Sequence, residues 1–220
     1  MNELREQIAA ARFPAALTGA GISAPSGIPT FQGSYRGRPL RSYLTRDYME
    51  EHTLEFFDLY CDMVKWCEKS PNAAHYALHE LGVRVITQNI DGLHARAGST
   101  DAIEMHGSLR FVLCHGCGWR QDSPKFAANY ADARNSGEHA AREALLCPVC
   151  GRRIDTDVVL YTDAVRHLNE AVDIATRSDL FLVIGTSLET YPAAALPDMA
   201  RRAGAKVVII NDDCVAALRE

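Results

Sequence analysis

The sequence predicts an α/β fold: a parallel sheet with helices on both faces, interrupted by a small inserted metal-binding module. Three observations lead there. Continuous apolar runs, "AALTG", "VRVIT", "DLFLVIG" and "KVVIIN", alternate with helical stretches, which is the pattern of parallel strands buried on both sides. Polar residues stand at the carboxyl ends of these runs. Two Cys-x-x-Cys pairs then mark a segment of different character.

At 220 residues the chain is long enough to bury a full core as one domain, or as one domain with an insertion. Its 47% apolar and 23% charged composition excludes a disordered chain. A net charge of −5 argues against binding a nucleic-acid backbone. No apolar run reaches the roughly 20 residues of a membrane span. The start, "MNELREQIAAAR", is charged and amphipathic, unlike a signal peptide. A cytoplasmic protein is expected. Of the seven cysteines, four are paired by spacing, and Cys61, Cys67 and Cys214 read as small buried hydrophobes.

Taken in order, a first helix covers about Leu4 to Arg12 and is stopped by Pro14. "AALTG" is the first strand. It runs into "ALTGAGISAPSGIPTFQG", where Gly19, Gly21 and Gly27 suit backbone lying close to a phosphate. Gly19-x-Gly21-x-x-Ala24 matches the dinucleotide fingerprint weakly, because Pro25-Ser26-Gly27 breaks the helix that should follow. Leu40 to Glu68 is irregularly helical, Asn72 or Ser70 caps a helix reaching about Leu81, and "VRVIT" and "AIEMHG" are strands. Asp163 to Arg177 is expected as a helix, "DLFLVIG" as a strand, Pro192 to Ala203 as a helix and "KVVIIN" as a strand.

Thr18-Gly19, Gln88-Asn89, Gly185-Thr186-Ser187 and Asn211 all fall at the carboxyl ends of strands. In an open α/β sheet those ends meet at one crevice, where ligands bind. The loop "VITQNIDGLHARAG" places Gln88, Asn89 and Asp91 beside it, amides that suit a carboxamide, ribose hydroxyls or a water. His106, in "EMHGS", is the candidate general base. His75 and His94 fit a helix surface or a satisfied core position.

"LCHGCG" and "LCPVCG" bring together Cys114, Cys117, Cys147 and Cys150. Four thiolates in two knuckles make a closed tetrahedral shell suited to structural zinc. The spacer, residues 118–146, exceeds the ordinary ribbon spacing of about 15–20 residues, so a hairpin or helical excursion is expected within it. His115 is read as a non-ligand.

"GAGIS-x-x-SGIPTF", "TQNIDGLH-x-x-AG", "HG", the two Cys pairs, "GTSL-x-x-x-PA" and a terminal "N" occur together in order. From about Leu17 to Asp213 the chain resembles the sirtuin family of NAD-dependent protein lysine deacylases. Thr30 in "GIPTF" brings it nearer the branch of bacterial sirtuins and the mitochondrial desuccinylase. The resemblance implies a Rossmann-type NAD-binding domain from residues 1–108 and 155–220. It also implies a zinc-binding module over 109–154, with a helical part of that small domain at about 34–70. It implies NAD contacts from Gly19, Ala20, Gly21, Thr30, Phe31, Gln32, Gln88, Asn89, Asp91, Gly185, Thr186, Ser187, Asn211 and Asp212. His106 and Asn89 are the implied catalytic residues. The implied reaction transfers the acyl group of a modified lysine to ADP-ribose, with His106 taking a proton from the ribose hydroxyls.

Val158 and Val159 would pair the substrate peptide. Tyr60 and Met63 are expected to line the acyl pocket, favouring acetyl or apolar acyl groups. The expected partners are acyl-lysine proteins or peptides, with no nucleic acid and no membrane. Three departures from the family pattern are expected to weaken activity: Gln32 in place of arginine, Thr162 in place of glycine, and a chain stopping at Glu220 where members usually continue with an adenine-contacting loop and helix. The rival readings are an ADP-ribosyltransferase or NAD glycohydrolase on the same fold, and an NAD-sensing module without turnover.

Overall fold

The structure, a computed structural model, describes residues 3–30 and 33–218. Its strands are β1 (Pro14–Thr18), β2 (Ser34–Tyr35), β3 (Arg38–Pro39), β4 (Arg84–Thr87), β5 (Ile103–Glu104), β6 (Gly107–Leu113), β7 (Arg120–Asp122), β8 (Asp155–Val158), β9 (Leu180–Ile184) and β10 (Lys206–Ile210). Its α-helices are α1 (Glu3–Ala10), α2 (Arg46–Glu51), α3 (Thr53–Val64), α4 (Ala73–Glu80), α5 (Leu93–Arg96), α6 (Ser123–Ser136), α7 (Glu138–Ala144), α8 (Leu168–Arg177), α9 (Leu196–Arg202) and α10 (Cys214–Leu218).

The large sheet has the order β10-β9-β1-β4-β5, and all its pairings are parallel. Both faces are covered, as the continuous apolar runs require. Adjacent residues of β1 go to opposite sides. Ala16 packs with Leu78, Leu182 and Ile8 on one face. Leu17 packs with Phe181, Ala171 and Leu196 on the other. A second, smaller sheet, β7-β6-β8, is antiparallel. Its core includes Leu109, Val112 and Phe126 together with Phe57, Tyr60 and Met63 of α3, so the 40–64 helices and the cysteine segment share one apolar cluster. The small sheet extends beyond 109–154, since β6 begins at Gly107 and β8 runs to Val158.

Two expected helices are shorter than the sequence pattern indicates. The first ends at Ala10, because the Asp179 carboxylate accepts the amides of Arg12 and Phe13 at 2.8 and 3.0 Å and draws the chain into β1. The helix expected from Asp163 begins only at Leu168. Asp163 is held by Arg46 at 2.7 Å and accepts the Leu160 amide, while Thr162 and His167 adopt φ of 82° and 54°. Such angles break a helix. The spacer between the cysteine knuckles is the pair α6 and α7. Among the described residues no helix is long and apolar enough to cross a membrane.

Gly107 joins the two sheets immediately after His106. Its φ is 74°, and a Cβ there would lie 2.0 Å from the Asp157 carbonyl oxygen. Gly107→Ala therefore combines left-handed strain with a clash against backbone, and is expected to destabilise by about 2–4 kcal/mol. Gly82 has φ 67° and nothing within 4 Å of the added carbon. Gly82→Ala isolates the strain, at about 1–2 kcal/mol. Urea unfolding of the two variants measures the difference, and equal midpoints would refute the close contact.

Candidate active site

Strand order places the site. From β1 the chain passes to β4 on one side, and from β9 it passes to β10 on the other, so the connections diverge between adjacent β1 and β9. A crevice opens at such a switch point, outside the carboxyl ends of the strands. The loop after β1 forms a 3₁₀ turn over Ala20–Ser26 and meets Gly185 at the end of β9. A Cβ on Gly19 would lie 2.6 Å from that of Thr186, one on Gly21 2.7 Å from Gly185 Cα, and one on Gly185 2.3 Å from the Ile22 nitrogen. The Gly19 and Gly21 amides are already given to the carbonyls of Ile184 and Gly185. These glycines first serve the contact of two loops. The sequence pattern suited either a phosphate or a plain turn, and did not show this loop contact.

A cavity of about 760 Å³ lies over this contact, within the range of small-molecule sites. Gly19, Ala20, Gly21, Thr30 and Gly185 line it, as do Thr186, Ser187 and Asn211. Gln88, Asn89 and His106 form another wall, and Val158 and Val159 a third. The strand ends are laced together across the floor. Gln88 Nε2 donates to Thr186 Oγ1 at 3.0 Å, and the Thr186 amide donates to Asn211 Oδ1 at 3.2 Å. Asn89 Nδ2 donates to the Gly19 carbonyl and to Ser23 Oγ, both at 3.1 Å. The Val159 amide is bonded to the His106 carbonyl at 2.8 Å.

His106 is oriented by its backbone. Its Nδ1 lies 3.0 Å from the Gln88 carbonyl, which can only accept, so Nδ1 carries the proton. Nε2 is left with a free lone pair, buried and without a protein partner, and Asn89 Oδ1 is likewise buried and unpaired. Both residues line the cavity, and two unpaired polar atoms buried there fit a polar ligand. Burial lowers the His106 pKa below its ordinary 6.5, an effect partly opposed by the bond to Gln88. Burial also depresses His75 to about 4 and His94 to about 3, so both are neutral near pH 7. Both are core residues: His75 engages Ser23 Oγ and the backbone amide of Asn72, whereas His94 Nε2 meets Thr18 Oγ1 at 2.9 Å and its Nδ1 is buried without a partner, the two rings lying 4.8 Å apart.

Several sequence expectations are corrected by the fold. Tyr60 and Met63 do not line the cavity. They are 1% and 2% exposed in the core of the smaller unit, and the Tyr60 hydroxyl is taken up by Ser123 and the Phe111 carbonyl. Their helical spacing serves packing. Asp91 stands behind the lining, its oxygens engaged by Ser23 Oγ at 2.7 Å and the Leu93 amide at 2.9 Å, and burial raises its pKa. Asp212 is exposed and away from the lining. Phe31 and Gln32 lie outside the described residues. The structure adds Ile90, Leu160, Tyr161 and Tyr191 to the walls. Leu160 and Tyr161 continue the segment of Val158 and Val159, which a parallel bridge of Thr45 with Tyr161 holds in place, whereas no chemical signature in the sequence marks Ile90 or Tyr191.

In the smaller unit the sulfurs of Cys114, Cys117, Cys147 and Cys150 lie within 4.8 Å of one another. The Cys114–Cys150 and Cys117–Cys147 separations are 3.5 and 3.6 Å. A tetrahedral site with metal–sulfur bonds near 2.3 Å has sulfur–sulfur edges of about 3.8 Å. The cluster fits a four-thiolate metal centre. His115 turns away to Asp155 at 3.3 Å.

Comparison with known proteins agrees with this architecture. The Sir2 family model matches residues 19–192. The chain is 39% identical over 226 residues to NAD-dependent protein deacetylase 1 of Pyrobaculum aerophilum, covering 97% of this chain and 84% of that protein. It is 39% identical over 222 residues to an NAD-dependent protein deacylase of Thermococcus kodakarensis, covering 93% and 81%. A solved Sir2 complex with a p53 peptide and NAD+ superposes with a TM-score of 0.84 at 31% identity, over 98% of this chain and 94% of the other. Sir2Tm bound to a propionylated peptide gives 0.82 at 31% identity, with the same coverage. The sequence motifs, the crevice over Gly19 and Gly185 and these likenesses coincide: the chain belongs to the Sir2 family.

Proposed function

We propose that this chain is an NAD-dependent protein-lysine deacylase that takes acetyl or apolar acyl groups and releases nicotinamide and O-acyl-ADP-ribose. The reading rests on the two orphaned buried atoms, His106 Nε2 and Asn89 Oδ1, of residues that line the cavity in a Sir2-family chain. The names of the relatives and the neighbours' complexes with NAD+ and acylated peptides support it. When bound, NAD supplies a ribosyl carbon made electrophilic by loss of nicotinamide.

The chain's own residues do the rest. His106 Nε2 receives a proton from a hydroxyl placed in the cavity, and the bond from Nδ1 to the Gln88 carbonyl holds the ring in the accepting tautomer. Asn89 Oδ1 accepts from a second donor. Ile90, Val158 and Leu160, all nearly inaccessible to solvent, give the wall beside them an apolar character. Arg41, the only arginine or lysine on the described lining, is exposed. A carboxylate on the acyl chain would lack a buried counter-charge. Cys114, Cys117, Cys147 and Cys150 would hold zinc, which with four thiolates would serve folding and leave no open position for chemistry.

The decisive experiment is incubation with NAD and an acetyl-lysine peptide. Free lysine together with O-acetyl-ADP-ribose is the expected result. Labelled protein or bare ADP-ribose would instead indicate ribosyl transfer or NAD hydrolysis, and binding without turnover a sensor. His106→Ala should lower turnover by about 10²–10⁴-fold with NAD affinity nearly unchanged. For the intact protein, the neutral ring is the active form and its pKa lies below 6.5. Peptide kcat/KM should thus be level above about pH 7 and fall as acid protonates Nε2. An acid limb centred above pH 7 would contradict the assignment.

Acetyl-lysine peptide should be preferred over succinyl-lysine peptide, and equal kcat/KM for the two would remove the apolar-wall argument. Cys147→Ser, or chelation, should release the metal and unfold the smaller unit, because a structural site contributes folding free energy directly. Metal analysis alongside thermal melting tests this, and unchanged melting after complete metal loss would disprove it.

A further inference from the structure

Asn89, a residue of the cavity lining, has two ways to place its amide, and only one leaves the unpaired buried atom an acceptor. Behind it lies a buried chain of hydrogen bonds that reaches α4. The Asn72 amide donates to His75 Nδ1 at 3.3 Å, closing the capping box of α4. With Nδ1 accepting, the proton of the neutral ring is on Nε2, which faces Ser23 Oγ at 3.4 Å. Ser23 donates its own hydrogen to Asp91 at 2.7 Å and accepts from Asn89 Nδ2 at 3.1 Å. A hydroxyl has one hydrogen and two lone pairs, and here all three are used. A flipped Asn89 would turn its oxygen toward the Ser23 lone pairs and the Gly19 carbonyl, with no donor at either.

We infer that His75 is a positioning residue for catalysis: by donating from Nε2 to Ser23 it fixes the direction of that hydroxyl, and so the amide orientation that presents Asn89 Oδ1 to substrate. The inference deepens the deacylase reading and rests on it for its kinetic effect. His75 itself is 0% exposed and does not line the cavity. Its two nitrogens divide the work. Nδ1 serves the helix cap, a matter of stability, while Nε2 serves the site.

Two substitutions separate these roles, because an asparagine amide reaches the place of Nδ1 and a glutamine amide that of Nε2. His75→Asn keeps the cap and loses the donor. Turnover should fall about tenfold, the scale of one lost hydrogen bond in a buried network, with little change in melting temperature. His75→Gln keeps the donor, so turnover should stay within about twofold of the parent while melting temperature drops. In an Asn89→Ala background, His75→Asn should lower turnover by less than about twofold, since the group it orients is gone.

A readout independent of turnover is the side-chain amide signal of Asn89 in ¹⁵N-resolved spectra, assigned by its loss in Asn89→Ala. Slow exchange in the parent and in His75→Gln, with fast exchange in His75→Asn, is the expected pattern. If turnover follows melting temperature in both variants, or if the amide signal is the same in all three proteins, His75 is only a cap and the inference fails. If the parent shows this amide pattern but does not deacylate peptides, the functional reading fails and the positioning role stands.

Discussion

The close approach of the loop after β1 to Gly185 after β9 is the constraint on which the site depends. Two backbones meet there at distances that admit no Cβ on either side. The contact closes the bottom of the switch-point crevice and gives the Gly19 and Gly21 amides carbonyl partners. It also leaves the Gly19 carbonyl in reach of Asn89, which ties the end of β4 to the end of β1. A side chain at any of the three glycines would part the strands that form the floor.

Above that floor, polar groups are buried at a cost that hydrogen bonding must offset. Thr18, Ser23, His75, Asn89, Asp91 and His94 are all nearly inaccessible to solvent. The chain meets most of their needs internally, through bonds whose direction is set by groups that can only donate or only accept. His106 and Asn89, both in the cavity lining, each end with one unpaired atom. An orientation held before substrate arrives need not be reorganised during reaction, and this is the main source of electrostatic catalysis. The same burial keeps the histidines neutral, so the accepting form of His106 prevails near neutral pH.

The second wall belongs to the segment that follows the small sheet. Arg46 holds Asp155 and Asp163 at 2.7 Å each, and the Tyr161 amide bonds the Leu44 carbonyl. This clamp sets Val158 to Tyr161 opposite the loops of the large sheet. Thr162, where the family pattern has glycine, takes a φ of 82° that a β-branched residue rarely adopts. Backbone strain beside a ligand cavity persists only where its surroundings over-determine it, and the Arg46–Asp163 pair supplies that hold.

The sequence by itself determined the parallel sheet, the crevice and the four-cysteine cluster. Apolar runs long enough for strands and polar strand ends depend on local order along the chain, and Cys114 to Cys117 and Cys147 to Cys150 are near neighbours whose spacing alone makes a knuckle. His106 could be singled out because it stands between a short strand and a glycine beside an amide-rich loop, and because the sirtuin resemblance gives that position the role of base. Only tertiary structure decided which of two plausible roles a residue takes. Tyr60 and Met63 are core rather than pocket, because α3 turns that face toward Phe126 and Leu109. Asp91 supports the lining from behind because Ser23, remote in sequence, meets its carboxylate. Helical spacing and residue type are the same in either case. The face turned to the cavity depends on partners tens of residues away, and no local pattern records them.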